Sequence, residues 1–339
     1  MNILFVGLDI GQQRRMQLAM ERLGHDVIVV NPYHVVRSNR YLALWAWHTG
    51  VLMVDSLIQN FLERNIDGLG FFDVAFVDSG ELISQASVEY LRTRSARVIL
   101  FCRDNPFVKR DGQRWRLLRK ALSSYDLFVT TRQSTADEAP ARGARSTLRV
   151  NFFADEILHR PREPTPGELE KYCSPVSFVG TWFPERGAFM RTLLDLGVPL
   201  KIIGDRWHKA NNYHALRPIV VEGYLSPEEY SGAVLSSRIA IAMLSKGNRD
   251  VSTSRSMEIP SLGRLMCAER TNEHLDLYTD GEEAVFWSSA EECAEICLGL
   301  LSNPERVDTI AAAGQRRAIA NNNWTEPTMA NILNAAIGC

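Results

Sequence analysis

The densest group of charged and hydroxyl side chains in the chain follows an apolar run at residues 239–244. It holds Asp250 and Glu258, eight positions apart, with Arg249 and Arg255 beside them and serines and threonines between. Carboxylates accept hydrogen bonds from paired sugar hydroxyls, and guanidinium groups neutralise phosphate charge. These residue types therefore predict a site for a sugar, a ribose and phosphates. The alternative is a solvated loop with ordinary ion pairs, which the density of polar residues after a buried strand disfavours.

A second loop of similar setting spans residues 178–187 and contains Gly180, Thr181 and Arg186. Backbone N–H groups at a helix start, together with one guanidinium, can bind a diphosphate. An ordinary surface arginine in a first helical turn gives the same pattern, and this loop alone favours that explanation. The cluster at residues 249–258 shifts the interpretation towards anion binding.

Both loops lie within an alternation of short apolar runs and longer periodic stretches, which is typical of βαβ units. In the first half, the predicted strands are residues 3–8, 26–31, 74–77, 98–101, 126–130 and 148–152. The predicted helices there are residues 14–23 and 87–94, with a long helical region over residues 41–63.

The alternation restarts after a proline-rich connector at residues 160–167. Strands are predicted at residues 176–179, 200–203, 219–221, 239–244 and 265–268, and helices at 186–196, 226–236, 254–262, 290–301 and 304–320, with two further elements of unassigned type at 271–278 and 284–287. We therefore predict an α/β chain of two Rossmann-like parallel-sheet domains that face each other across a cleft. The expected boundaries are 1–158 for the N-terminal domain, 159–172 for a linker, 173–320 for the C-terminal domain, and 321–339 for a helix packing back on the N-terminal domain.

Other nucleotide and hydrolase signatures are missing from the sequence. A dinucleotide fingerprint needs G-x-G-x-x-G after a strand, whereas the first turn holds only Gly7 and Gly11 and the turn after residue 179 also fails the spacing. No P-loop, H-E-x-x-H or G-x-S-x-G motif occurs. These absences disfavour a reductase.

Charge and cysteine content narrow the class of protein further. The 339 residues include 38 Lys and Arg against 40 Asp and Glu, a net charge of -2, so we expect no nucleic-acid binding. The six cysteines form no C-x-x-C pair, so reduced thiols and no metal site are expected. The chain start lacks the basic flank and cleavage site of a signal peptide, which indicates a cytoplasmic protein.

An apolar stretch at residues 41–54 contains Trp45 and Trp47. It is too short and too interrupted to span a bilayer, which needs about 20 apolar residues. Its aromatic side chains could form an acceptor groove or rest on a membrane as a peripheral contact. We favour the interpretation that they belong to the core.

Several blocks, in order along most of the chain, resemble the CgeB-like (spore-maturation protein B) glycosyltransferases. They are Arg103-Asp-Asn-Pro-Phe, Phe178-Val-Gly-Thr-Trp-Phe-Pro-Glu-Arg, and the blocks that begin at Gly223, Asn248, Thr253, Glu269 and Asp280. The resemblance is strongest over residues 176–286. It implies a GT-B fold and distant kinship with retaining GT-B enzymes that carry an E-x7-E motif.

The resemblance also implies roles for individual residues. Glu258 matches the second Glu, which holds the donor ribose, and Asp250 falls on the first, although it is one methylene shorter. Arg186 falls on the phosphate-binding residue, and the loop with Glu273 and His274 lies near the donor phosphates. Asp104 falls close to where related enzymes keep a catalytic His. Asp104 and Asp250 are thus the predicted catalytic residues, and the full donor set adds Gly180, Thr181, Gly223, Tyr224, Arg249 and Arg255.

These residues lead to the hypothesis of a metal-independent sugar transfer from a UDP- or GDP-type donor. Arg186, Arg255 and helix amides would stabilise the leaving phosphate, and an acceptor hydroxyl would approach near Gly7, Asp9, Gly11 and Gln12. The acceptor would be a glycan, a lipid-linked sugar or a small molecule. Two alternatives remain: a GT-B-like epimerase, and a catalytically silent binding or assembly protein.

Overall fold

Two parallel sheets of six strands each organise the chain in this computed structural model, which describes residues 1–338. Cys339, one of the predicted thiols and the last residue of the predicted C-terminal segment, lies outside the described residues. The predicted α/β class with two Rossmann-like sheets is confirmed. The chain divides into unit 1, made of Met1–Asn151, Lys246–Asp250 and Thr325–Cys339, and unit 2, made of Phe152–Ser245 and Val251–Trp324.

Unit 1 has a sheet in the order β2-β1-β3-β4-β5-β6, with every neighbouring pair parallel. Buried-type runs such as Ile3 to Val6 form its strands because helices cover both faces of the sheet. Its elements are β1 Asn2–Val6, α1 Gly11–Arg22, β2 Asp26–Val30, α2 Tyr33–Arg37, α3 Arg40–Thr49, α4 Asp55–Ile66, β3 Phe72–Asp78, α5 Gln85–Arg94, β4 Ser95–Cys102, α6 Arg116–Ala121, β5 Leu127–Thr130, α7 Gln133–Glu138 and β6 Thr147–Arg149, with α16 Thr325–Gly338 at the end of the chain.

Unit 2 has a sheet in the order β12-β11-β10-β7-β8-β9, again parallel throughout. Apolar clusters cover its two faces, one around Ile239 and Ile241 and one around Ala240 and Ala242, as alternate strand residues require. Its elements are α8 Pro166–Tyr172, β7 Ser174–Val179, α9 Pro184–Asp195, β8 Leu200–Gly204, α10 Tyr213–Leu216, β9 Val220–Glu222, α11 Pro227–Leu235, β10 Ser237–Ala242, α12 Ser254–Ser261, β11 Leu265–Glu269, α13 Asn272–Leu277, β12 Val285–Trp287, α14 Ala290–Leu301 and α15 Pro304–Asn321.

The proline-rich connector differs from the prediction, because it contains helix α8. Thr165 accepts a hydrogen bond from the Glu168 N–H, and the Glu168 side chain accepts one from the Thr165 N–H. Pro166 occupies the first helical position, where a missing N–H costs nothing. The prolines at residues 161–166 therefore lead into a capped helix instead of continuing as an irregular linker.

The prediction that the aromatic residues of 41–54 belong to the core is wrong, because Tyr41, Trp45 and Trp47 are all exposed. Ala46, Val51 and Val54 are buried, whereas Trp45 and Trp47 are exposed. The predicted single helical region is interrupted between α3 and α4, where Val51 and Met53 have positive φ angles. An exposed apolar surface results.

Candidate functional sites

In unit 2, the strand order reverses between β7 and β10, since the chain runs from β7 outwards to β9 and returns on the other side. Open parallel sheets bind ligands outside the carboxyl ends of the strands at such a reversal. The loops that leave β7 and β10 there carry Gly180 and Thr181 on one side and residues 243–245 on the other.

The Arg186 side chain connects these two loops by hydrogen bonds to a backbone carbonyl in each of them. It is a buried side chain on α9, and it donates from Nη1 to the Thr181 carbonyl at 2.6 Å and from Nη2 to the Met243 carbonyl at 3.3 Å. Its guanidinium also lies 4.4 Å from the ring centre of Phe183. The first turn of α9 has no side-chain cap; Pro184 has no N–H and the Arg186 N–H donates to the Phe183 carbonyl at 2.9 Å, so the Glu185 N–H is the amide of this turn that stays available to an anion. Arg186 thus holds the loop after β7, the predicted anion-binding loop, by donating to a carbonyl of that loop's backbone.

Arg255, on α12, contacts the end of β7, since its Nε donates a hydrogen bond to the Val179 carbonyl at 3.0 Å. The guanidinium lies 5.7 Å from the ring centre of Tyr230. Its terminal nitrogens, Nη1 and Nη2, make no hydrogen bond to any residue of the described chain. Arg255 is therefore the cation of this site that can bind a ligand phosphate through two parallel N–H donors.

Glu258 lies one helical turn after Arg255 and is half-buried. Burial, and then the negative charge of Glu258, raise the pKa of Tyr230 well above its ordinary value. His159 Nε2 lies 4.0 Å from Glu258 Oε1. The Asp155 N–H donates to His159 Nδ1 at 2.8 Å, so a neutral ring carries its proton on Nε2, on the side of Glu258. Two potential donors thus flank a carboxylate acceptor.

The other predicted donor residues are spread along the same edge of unit 2. Gly223 and Tyr224 follow β9, two strands from β7, and Tyr224 is exposed. Glu273 accepts a hydrogen bond from the Ser252 hydroxyl at the start of α13. The structure therefore groups Gly180, Thr181, Arg186, Arg255 and Glu258, and leaves Gly223, Tyr224 and Glu273 at other strand ends.

His274 is fully buried, and both of its ring nitrogens are occupied. Nδ1 donates to the Glu269 carbonyl at 2.6 Å, so Nε2 accepts from the Ser256 hydroxyl at 2.8 Å. The ring stacks on Phe286, with centres 5.6 Å apart. We assign His274 a positioning role, because it anchors the first turn of α12 from behind and presents no free ring nitrogen to a ligand.

Acid should destabilise unit 2 through this histidine. Burial lowers the pKa of His274 from its ordinary value of 6.5. As the pH falls, this histidine is therefore protonated in the unfolded chain before it is protonated in the folded chain. The free energy of unfolding should fall as the pH drops below about 6.5, by up to about 1.4 kcal/mol per pH unit. Urea unfolding at several pH values measures this slope. His274→Gln should unfold more easily at neutral pH and show a shallower slope; equal slopes in both proteins would contradict this assignment.

In unit 1, the strand order reverses between β1 and β3, and the predicted acceptor residues lie there. Gly7 directly follows β1, and a Cβ at this position would lie 3.0 Å from the Asp78 Cβ at the end of β3. Gly11 begins α1 with a φ of 59°, which glycine adopts easily. Asp9 accepts from Asn31 Nδ2 at 2.9 Å.

Gln12 belongs to a polar network at this reversal. Arg103 donates from Nη1 to Gln12 Oε1 and from Nη2 to Asp78 Oδ1, the latter at 3.1 Å. Burial raises the pKa of Asp78, although the neighbouring Arg103 charge opposes that effect. These hydrogen bonds connect the start of α1 to the end of β3 and to Arg103, which follows β4.

Asp104 follows β4, and its carboxylate is held in place by donors. Asn248 Nδ2 donates to its Oδ1 at 3.0 Å, and Arg114 Nη1 donates to its Oδ2 at 3.3 Å. The side chain remains 33% exposed, so it can still accept a bond from a ligand. Asp104 thus stays a candidate for positioning a hydroxyl.

Asp250, the predicted sugar contact, has its carboxylate paired with Arg132. The segment Lys246–Asp250 belongs to unit 1, whereas Glu258 belongs to unit 2. Arg132 Nε donates to Asp250 Oδ1 at 2.6 Å, and the two side chains are only 5% and 6% exposed. The predicted sugar contact is therefore occupied by a buried arginine. Arg249, next to it, is exposed and has a positive φ of 56°.

A cavity of about 300 Å³ opens in unit 1 beside the predicted acceptor residues. At its polar end, the Tyr33 hydroxyl donates to Glu81 Oε1 at 2.7 Å, and Arg114 Nε donates to Glu81 Oε2. The Arg114 guanidinium also lies 4.9 Å from a ring centre of Trp47. The cavity is lined by Leu8, Gln13, Tyr33, Val36, Arg37, Ala43, Ala46, Trp47, Val51, Ser79, Glu81, Leu82 and Arg114. This volume is at the lower end for small-molecule sites.

Three buried thiols lie together in the core of unit 2, which the sequence spacing did not reveal. The sulfur atoms of Cys267, Cys293 and Cys297 all lie within 4.8 Å of one another. Cys293 and Cys297 are one turn apart on α14, and Cys267 faces them from β11. Structural zinc takes four ligands, whereas this group supplies three. The described cysteines are all free thiols, as expected.

Sequence reasoning missed Arg132, Tyr230, His159, Glu81 and Arg114. Arg132 and Asp250 are 118 positions apart, so no local motif connects them. Arg114 lies in a stretch without a predicted element. The only available signal was chemical: a tyrosine and a histidine are residues that often flank a carboxylate site.

The C-terminal part of the chain matches a family model described as glycosyl transferase-like, over residues 186–334. This segment includes Arg186, Arg255 and Glu258, and it is similar to that family over less than half of the chain. No curated protein matches the chain in sequence. The narrower resemblance to CgeB-like proteins stays a prediction.

Several solved structures are similar in fold to this protein over nearly the whole chain. Sucrose-phosphate synthase from Thermosynechococcus elongatus is similar with a TM-score of 0.70 and 11% identity, covering 98% of each chain. HepE from Anabaena, in complex with UDP and glucose, has a TM-score of 0.64 and 13% identity over 99% of this chain and 100% of its own. A Listeria monocytogenes protein, described there as a UDP-N-acetylglucosamine 2-epimerase, has a TM-score of 0.60 and 12% identity, with 98% and 95% covered. The GT-B fold is confirmed, and the fold by itself leaves the activity open.

Proposed function

We propose that this protein is a glycosyltransferase that moves a sugar from a UDP- or GDP-type nucleotide sugar to an acceptor hydroxyl. The observation that carries the proposal is the placement of Arg255 and Glu258 one turn apart on α12, at the strand reversal of unit 2. The segment that holds them matches the glycosyl transferase-like family model. A cation with free N–H donors next to a carboxylate acceptor suits a phosphate next to a diol.

In this proposal, Arg255 and the Glu185 N–H in the first turn of α9 bind the diphosphate of the donor. Both stabilise the negative charge that develops on the leaving phosphate. Glu258 accepts hydrogen bonds from the ribose hydroxyls, and Tyr230 and His159 lie beside its carboxylate. Because fixed cations supply the positive charge, we propose a metal-independent transfer. The retaining outcome rests on the resemblance to E-x7-E enzymes alone.

The acceptor would bind unit 1 in the cavity next to Gly7 and Gln12. Glu81 and Arg114 mark its polar end, and Asp104 shares Arg114 with Glu81. A hydroxyl donating to one of these carboxylates would be oriented for transfer. Glycan, lipid-linked and small-molecule acceptors all remain compatible with a cavity of about 300 Å³. We further propose a CgeB-like specificity and a cytoplasmic location.

A thermal-shift screen with UDP, GDP, TDP, CMP and their sugars tests donor binding. A ligand at 100 times its Kd should stabilise the protein by about 2.7 kcal/mol and raise the Tm by a few degrees. Arg255→Ala should abolish this shift. Arg270→Ala is the matched control, since the Arg270 side chain pairs with Asp280 instead.

Turnover then separates the alternatives. A transferase releases nucleoside diphosphate in the presence of an acceptor, an epimerase interconverts the sugar nucleotide without releasing it, and a silent binding protein leaves the donor intact. A flat thermal response to every nucleotide would contradict the proposed donor site.

A further inference from the structure

We propose that residues 33–57 of unit 1 form a docking surface for an anionic lipid membrane. This segment exposes an unusual number of large apolar side chains, namely Tyr41, Leu44, Trp45, Trp47, Leu52, Met53 and Leu57. Tyr41 is 74% exposed and Met53 is 82% exposed. Exposed apolar residues that cluster in this way mark an interaction site, whereas scattered ones do not.

The geometry of α3 arranges these side chains on one side. Tyr41, Leu44, Trp45 and His48 are spaced by three or four residues and so share a helix face, while Ala46 points into the core. Trp45 Nε1 donates to the Leu52 carbonyl at 2.9 Å, which fixes the following loop next to that face. Leu52 and Met53 thus extend the apolar surface beyond the end of the helix.

Charge favours an anionic lipid surface as the occupant. Arg37 and Arg40 precede the apolar face, and neither forms an ion pair with any residue that the structure describes. Their guanidinium groups instead lie over aromatic rings, at 5.3 Å from the Tyr33 centre and 5.7 Å from the Tyr41 centre. Asp55 is the single acidic residue of residues 33–57. Tryptophan, tyrosine and arginine together are the residues that settle at a membrane interface.

The proposal involves no bilayer-spanning element. Within residues 1–338, none of the helices has both the length and the apolar character needed for crossing a membrane. The surface would lie in the headgroup region, as amphipathic helices do. It shares Trp47, Ala43 and Arg37 with the cavity of unit 1. If the proposed function holds, an acceptor carried by a lipid would therefore meet the cavity at the membrane surface.

Sedimentation of the full chain with vesicles tests the proposal. The protein should pellet with vesicles of equal parts phosphatidylcholine and phosphatidylglycerol, and far less with phosphatidylcholine alone. Arg37→Gln with Arg40→Gln should weaken binding about 30-fold, since each arginine at an anionic surface contributes a factor of about five. Leu44→Ser with Met53→Asn should weaken it about tenfold or more, and Asn tolerates the positive φ of residue 53.

Phe71→Ser is the matched control, because Phe71 is an exposed aromatic residue of unit 1 outside this surface. It should bind vesicles like the parent. No pelleting with anionic vesicles, or equal pelleting of the parent and both double variants, would overturn the proposal. So would self-association of the parent that the variants abolish, since the surface would then bind a second copy. The assay needs no donor, so a failure here leaves the nucleotide thermal shift intact, and the converse also holds.

Discussion

Replacement of Glu258 by Gln should raise the Kd for the nucleotide-sugar donor roughly 10- to 150-fold. Hydrogen bonds that involve a charged partner contribute about 1.5–3 kcal/mol, and the amide removes that charge while keeping the shape of the side chain. The amide fills the same space beside Tyr230 and His159, so we expect the fold around α12 to persist. Isothermal titration of the donor and of the free nucleoside diphosphate measures the effect.

Glu282→Gln is the matched control for this experiment. Glu282 is an exposed glutamate of unit 2 that lies away from α12 along the chain, and it should leave the donor Kd unchanged. An unchanged Kd in Glu258→Gln would remove the ribose contact from the proposal. A fall in turnover with an intact donor Kd would also contradict it, because Glu258 would then act on the transfer step and not on binding.

Most of the twelve strands were predictable because they are short apolar runs with turn residues at both ends. Long amphipathic helices such as α14 and α15 were predictable for the matching reason, their period of 3.6 residues. Helices α2, α6, α7, α8 and α10 escaped prediction, since elements of four to seven residues are too short to show a period. Their formation depends on tertiary packing and, for α8, on a capping box.

The candidate site in unit 2 was predictable to the extent that it is local in sequence. Arg255 and Glu258 share one helix directly after a buried strand, so residue types and spacing together indicated them. Asp250 was assigned from the same spacing, yet its partner Arg132 lies between β5 and α7 in unit 1, 118 positions away. The partner of a buried charge is set by the tertiary fold, and a motif nine residues long contains no information about it.

Removal of the Asp250 carboxylate should therefore affect stability before it affects the donor. Asp250→Ala leaves the Arg132 guanidinium buried without its counter-charge, which typically costs about 3–5 kcal/mol. Urea unfolding followed by circular dichroism measures the loss, and hydrogen exchange of peptides from β4 and β5 reports unit 1 separately. Asp137→Ala, an exposed aspartate on α7, is the control and should change stability by less than about 0.5 kcal/mol.

The double variant Arg132→Leu with Asp250→Leu decides between the structural and the sugar-binding role of Asp250. Two apolar side chains in place of a buried ion pair are often neutral or stabilising, so most of the lost stability should return. If Asp250 only pairs with Arg132, the double variant should also keep donor turnover close to that of the parent. If Asp250 contacts the transferred sugar, turnover should stay low in the double variant even though most of its stability returns. In that case the buried pair would have to open during the reaction, and the original assignment of Asp250 from the motif would stand.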